Sequence, residues 1–183
     1  MKRLLRSLWS VALLVSFAGM AGAQGNPRGT TKLDLKGQAV SVEYGRPALK
    51  GRTVEQLLGK LGVGEVWRLG ADKSTTFSTG GDLVFGDVTV PKGEYSLWAR
   101  KTADGWKLVF NKQHGQWGMQ HDAAQDLAAT PLRESKAAKP AELVTIGLFA
   151  DTTYGRDGKR LIEDGIIAIQ WGETILSASF KTK

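Results

Sequence analysis

Residues 95–110 read Tyr95-Ser96-Leu97-Trp98-Ala99-Arg100-Lys101-Thr102-Ala103-Asp104-Gly105-Trp106-Lys107-Leu108-Val109-Phe110, and this stretch decides the fold class. Tyr95, Leu97 and Ala99 recur at every second position, as do Trp106, Leu108 and Phe110. Side chains alternate between the two faces of a strand, so each run presents one apolar face. Thr102-Ala103-Asp104-Gly105 divides the runs, and its Asp-Gly step predicts an antiparallel hairpin.

The same one-sided alternation extends outward to Leu33 and Leu35, to Val40, Val42 and Tyr44, and to Val144, Ile146 and Leu148. Ile166 to Trp171 is nearly continuous and is expected to be buried on both faces. Gly172-Glu173 places glycine first, as a type II′ turn requires, so Thr174 to Phe180 is expected to fold back on Ile166–Trp171. Gly80-Gly81-Asp82, Gly86-Asp87 and Pro91-Lys92-Gly93 read as turns. Thr130 to Glu142, with Pro131 and Pro140, reads as an edge strand or an exposed crossing loop rather than a linker between domains. Helical signal is sparse. Thr53 to Leu61 has a capping threonine and a shared face of Leu57, Leu58 and Leu61, and Asp122 to Leu127 reads as a second short helix or a loop. The expected fold is all-β: a jelly-roll-like antiparallel β-sandwich of about eight to ten strands with one short helix.

Composition agrees with a packed domain. The 183 residues are 42% hydrophobic and 23% charged, which excludes a disordered tail or a collagen-like repeat. The chain has no cysteine, so thiolate nucleophiles, zinc–cysteine sites, iron–sulfur clusters and disulfides are excluded. No cofactor is indicated. Lys2, Arg3 and Arg6 precede an apolar stretch from Leu8 to Phe17 and then Ala21-Gly22-Ala23, so residues 1–23 read as a secretory signal cleaved after Ala23. Residues 24–32 are then expected to be a flexible segment and 33–183 a single sandwich domain, periplasmic or secreted. The apolar stretch is shorter than the roughly 20 residues that span a bilayer, so no membrane association is expected after cleavage. Cleavage would take the net charge from +7 to +4 by removing three cationic residues. The remaining basic residues are scattered, densest at Arg46, Lys50 and Arg52, and form no arm suited to nucleic acid. No oligomeric state is specified.

Five ordered motifs carry a family resemblance: Ser41-Val42-Glu43-Tyr44-Gly45-Arg46-Pro47; Gly64-Glu65-Val66-Trp67-Arg68-Leu69-Gly70-Ala71; Thr75-Thr76-Phe77; Pro91-Lys92-Gly93-Glu94-Tyr95-Ser96-Leu97; and Phe110-Asn111-Lys112 through Gln116-Trp117-Gly118. From Leu33 onward the chain resembles the exported bacterial domain-of-unknown-function family 2911. The resemblance implies an extracytoplasmic, mostly β domain, and it supplies no catalytic residues to carry over. Many relatives look like lipoproteins, and this chain departs from them in lacking cysteine.

The candidate site residues start from Gly64–Ala71, where alternation puts Glu65 and Trp67 on one face and Arg68 on the other. If Arg46 reaches the same mouth, the two guanidinium groups form a clamp for a carboxylate or phosphate. The alternative is internal: an arginine–glutamate bridge beneath a tryptophan. Asn111 and Trp117 complete the candidate ligand-binding set of Arg46, Glu65, Trp67, Arg68, Asn111 and Trp117. His114, His121 and Asp122 are weak metal candidates, since a spacing of seven residues puts the histidines on opposite faces of a regular strand; exposed loop histidines are the alternative. No Gly-x-Ser-x-Gly elbow is present. Glu65, Asp72, Glu94 and Asp122 are open to convergence for acid–base work. Trp106 and Trp171 fit buried strand faces, whereas Trp98 and Trp117 suit stacking on sugars or, alternatively, packing between sheets. Two functions follow as expectations. One is a non-catalytic binding module for a small anionic or carbohydrate ligand of the cell envelope. The other is an envelope-acting hydrolase using Glu65 or Asp122, with or without a metal.

Overall fold

The computed structural model describes residues 25–154, 156–157 and 160–183; the signal expected at 1–23 lies outside them. Ten strands follow in chain order: β1 (Arg28–Leu35), β2 (Gln38–Gly45), β3 (Val66–Trp67), β4 (Thr76–Thr79), β5 (Leu83–Phe85), β6 (Val88–Val90), β7 (Gly93–Thr102), β8 (Gly105–Asn111), β9 (Asp126–Tyr154) and β10 (Arg160–Thr182). Helix α1 (Val54–Leu58) lies between β2 and β3. All of the strand pairings are antiparallel, in the order β1-β2-β4-β7-β8-β9-β10-β5-β6, with β3 added to β7.

The all-β class with one short helix holds, and the two layers are halves of one sheet rather than separate sheets. β9 makes the join: Asp126 to Leu132 pair with β8, and Arg133 onward pairs with β10. The sheet closes over its own apolar face. Phe85 of β5 packs on Phe110 of β8 at 4.8 Å between ring centroids and on Phe180 of β10 at 5.0 Å, while Phe77 of β4 meets Phe110 at 5.4 Å. Phe77, Phe85 and Phe110 are fully buried, and burying each such side chain contributes about 1.5–3 kcal/mol.

The hairpin read from residues 95–110 forms, with Leu97 opposite Phe110 and Ala99 opposite Leu108. Its two-residue loop is Ala103-Asp104, because Gly105 pairs with Thr102 and already belongs to β8. β1 begins at Arg28, so the expected flexible segment contributes residues Arg28 to Lys32 to the sheet. α1 is capped as its sequence requires. The Thr53 side chain accepts from the Gln56 backbone, and the Gln56 side chain accepts from the Thr53 backbone. The second helical candidate is only a 3-10 turn at Ala123–Gln125.

The C-terminal hairpin expected at Gly172-Glu173 does not form. β10 runs straight through, and Gly172 sits in a bulge at φ +55°, which is the backbone conformation that favours glycine. Lys136 pairs with Thr174 and Ala141 with Gly172, so Ala137, Ala138, Lys139 and Pro140 all stand against Glu173. Pro140 thus falls in the bulge, where its missing N–H breaks no ladder. Thr130–Glu142 is therefore strand on either side of that bulge, paired first with β8 and then with β10. Ile166–Trp171 is likewise buried on one face only: Ile167, Ile169 and Trp171 are buried, and Ile166 and Ala168 are half-buried. Among the described residues, no helix is long and apolar enough to cross a membrane.

Candidate functional site

β3 is two residues long, and its side chains face two different concavities. Trp67 lines a pocket of about 250 Å³ beneath α1, together with Trp106, Trp171, Leu58, Lys101 and two carboxylates, Glu55 and Glu134. Val66 lines the other, a wide cleft shared with Glu65, Arg100, Met119, His121 and Asp126. The turn before β3 fixes this division. Gly64 has φ +94°, its N–H donates to the Lys101 carbonyl, and Lys101 Nζ donates to the Leu61 carbonyl at 2.9 Å.

The pocket is built on indoles. Trp67 and Trp171 stack in parallel with centroids 5.7 Å apart, and Trp106 meets Trp67 edge-on at 6.5 Å. The Trp171 N–H is buried and takes no acceptor among the described residues. Among the described residues, Lys101 is the one cation lining the pocket, and its ammonium donates to the Leu61 carbonyl. Glu55 and Glu134 have no cationic partner among the described residues. Two carboxylates therefore line the cavity beside the three indoles.

The cleft is built on a shared carboxylate. Outward-facing residues of β7 and β8 are covered by the loop after β8, which leaves Trp98 only 2% exposed. Beneath that loop, Asp126 at the start of β9 accepts from Asn111 Nδ2 at 2.7 Å and from His121 Nε2 at 2.9 Å, and it also pairs with Arg100. A carboxylate only accepts, so Nε2 carries the proton that His121 donates. The His121 ring packs on Trp98 at 4.8 Å. Trp98 in turn donates to the buried Ser96 hydroxyl at 2.8 Å, and Gln116 of the loop donates to the same hydroxyl.

The candidate ligand set is dispersed. Glu65 and Trp67 end in different concavities, because two strand residues and the Gly64 turn do not sustain the alternation expected of them. The Glu65 carboxylate accepts from the Gly62 N–H at 2.7 Å, and no ion pair joins it to Arg68 among the described residues. Arg46 donates to the Val144 carbonyl and the Thr145 hydroxyl of β9, whereas the Arg68 side chain lies against Gly118 of the loop. The clamp is not assembled, and neither is the internal arginine–glutamate bridge.

Asn111 and His121 do converge, on Asp126, which the sequence reading did not single out. His114 turns instead toward Glu94 at 3.6 Å, and Asp122 caps the 3-10 turn through Ala124 N. Among the described residues, no group of three or more histidine or acidic side chains is placed to hold a metal ion. Trp98, one of the two tryptophans suited to sugar stacking, is buried; Trp117 is 52% exposed. Trp106 and Trp171 do pack on strand faces, and the same rings wall the pocket. Glu55 and Glu134 gave no signal in sequence, since one lies on the helix and the other on the strand crossing between layers.

No curated protein and no solved structure matches the chain. A sequence model of the family described as "protein of unknown function (DUF2911)" matches residues 26–179, from two residues before β1 into the last strand. The chain belongs to that family.

Proposed function

We propose that the protein is a non-catalytic binding module of the cell envelope that takes a small carbohydrate in the three-tryptophan pocket. The observation that carries this reading is the meeting of Trp67, Trp106 and Trp171 in one cavity that Glu55 and Glu134, without an ion-pair partner among the described residues, also line. Indole rings match the apolar C–H face of a sugar ring, and carboxylates accept from its hydroxyls. At about 250 Å³ the cavity is just below the 300–1,000 Å³ usual for drug-sized ligands, which suits a single ring. Between the two ligand classes expected from sequence, the acidic rim disfavours an anion.

An envelope location rests on the basic and apolar character of residues 1–23. The hydrolase reading has less support. Glu65 and Asp122, its candidate acids, both serve backbone N–H groups, at Gly62 and Ala124.

The test is tryptophan fluorescence of the mature chain titrated with a panel of monosaccharides and disaccharides. Saturable quenching that is lost in Trp106→Ala, with the circular dichroism spectrum unchanged, supports the reading. A flat response to every sugar overturns it.

A further inference from the structure

The rim of the pocket says more about its ligand than its walls do. We infer that the ligand carries a protonated amine, seated between the Glu55 and Glu134 carboxylates and the faces of the tryptophans. This rests on the binding reading above and narrows it to a ligand class.

Three observations carry it. The two carboxylates have no cationic partner among the described residues, although the chain as a whole has a net charge of +7. An acidic rim in a basic protein is thus a local feature and does not follow from the overall field. Secondly, Lys101, the one lysine lining the pocket among the described residues, donates to the Leu61 carbonyl and makes no ion pair with either carboxylate, so its single charge leaves the two carboxylates with a net charge of −1. Thirdly, the walls are indoles, whose ring faces are negative and attract a cation within about 6 Å of the centroid. Carboxylates and indole faces acting together select positive charge.

Two sources supply that chemistry: an amino sugar, or a free alkylammonium ion. Fluorescence titrations of the mature chain with glucosamine, N-acetylglucosamine and tetramethylammonium, at a slightly acidic pH that keeps the amine protonated, separate them. The expected result is glucosamine binding at least about tenfold tighter than N-acetylglucosamine, a difference of about 1.4 kcal/mol. Glu134→Gln and Glu55→Gln should each weaken glucosamine severalfold and leave N-acetylglucosamine unmoved. Both positions are exposed, so these variants should fold, and an unchanged melting temperature without ligand confirms it.

Equal affinity for the two sugars overturns the amine and leaves the carbohydrate reading standing. Binding of tetramethylammonium with no response to either sugar supports the positive charge and overturns the carbohydrate. No response to any of the three overturns both.

Discussion

Trp67 of β3 and Trp171 of β10 lie ring on ring, their centroids 5.7 Å apart and their planes within 10° of parallel. At that separation parallel rings are offset, the arrangement their quadrupoles prefer. Both indoles are nearly buried, and they come from opposite halves of the sheet. Trp67→Ala should therefore cost about 3–5 kcal/mol. A double-mutant cycle with Trp171→Ala should recover a coupling of about 0.5–1.5 kcal/mol beyond burial. Urea melts of the three variants measure both quantities, and additive losses would show that the stack itself contributes nothing.

Asp126 holds three side chains in place, and Arg68 forms no ion pair among the described residues. Asp126→Asn should cost about 1–3 kcal/mol, since it leaves the half-buried Arg100 guanidinium without its counter-charge. Arg68→Ala should cost less than about 1 kcal/mol. Arg46→Ala removes two hydrogen bonds to β9 and should fall near 1 kcal/mol. Denaturant melts of the three rank them; an Arg68 loss equal to that of Asp126 would mean that Arg68 has a partner of comparable strength.

Gly45 lies where β2 ends against the segment after β3. A Cβ there would sit 2.1 Å from the Ala71 carbonyl oxygen, a backbone atom that cannot rotate away. Gly45→Ala should cost about 1–3 kcal/mol through forced backbone shifts. Gly172→Ala tests a different cause, since its φ of +55° places a side chain in the left-handed region at a cost of about 1–2 kcal/mol. Thermal melts should show both losses, and a neutral Gly172→Ala would mean that the bulge relaxes.

Burial holds the Tyr95 hydroxyl above its usual value of 10.0, and the nearby Asp82 carboxylate adds to the effect. The folded state thus keeps the proton that the unfolded chain releases near pH 10, so this contribution is complete below that pH and is lost as pH rises through the folded value. Tyr95 also donates to the Pro91 carbonyl at 2.9 Å. Stability should fall above about pH 10 in the wild type, and more gently in Tyr95→Phe, which starts about 1 kcal/mol lower at neutral pH. Parallel pH-dependent melts for the two proteins would reveal the mechanism as wrong.

Much of the fold was legible because alternation is local. Tyr95–Ala99, Trp106–Phe110 and Val144–Leu148 announce their faces residue by residue, and Thr53 with Gln56 announces the helix start. Gly172-Glu173 misled for a physical reason: a left-handed glycine serves a tight turn and a bulge equally well. What decides between them is whether the partner strand lies before or after it, and here the partner is β9, some thirty residues upstream (Gly172 opposite Ala141).

The site was less legible for a related reason. Arg100 and Asp126 meet only because β8 lies between their strands, and Glu55 and Glu134 line one pocket only because α1 packs on β10, the strand paired with β9. Those meetings are set by register and packing, which leave no mark on the spacing of the residues themselves. Trp67 was legible as a ligand candidate, but its neighbours Trp106 and Trp171 looked like core, and they are both.

The passage of β9 from one half of the sheet to the other governs how the molecule comes apart. Its first residues are laddered to β8 and the rest to β10, so melting either half frees the strand on which the other half depends. The layers cannot be divided into separately folding pieces by cutting at a loop. Heat or denaturant should therefore remove them in one transition, with fluorescence from the tryptophans and circular dichroism of the backbone falling together.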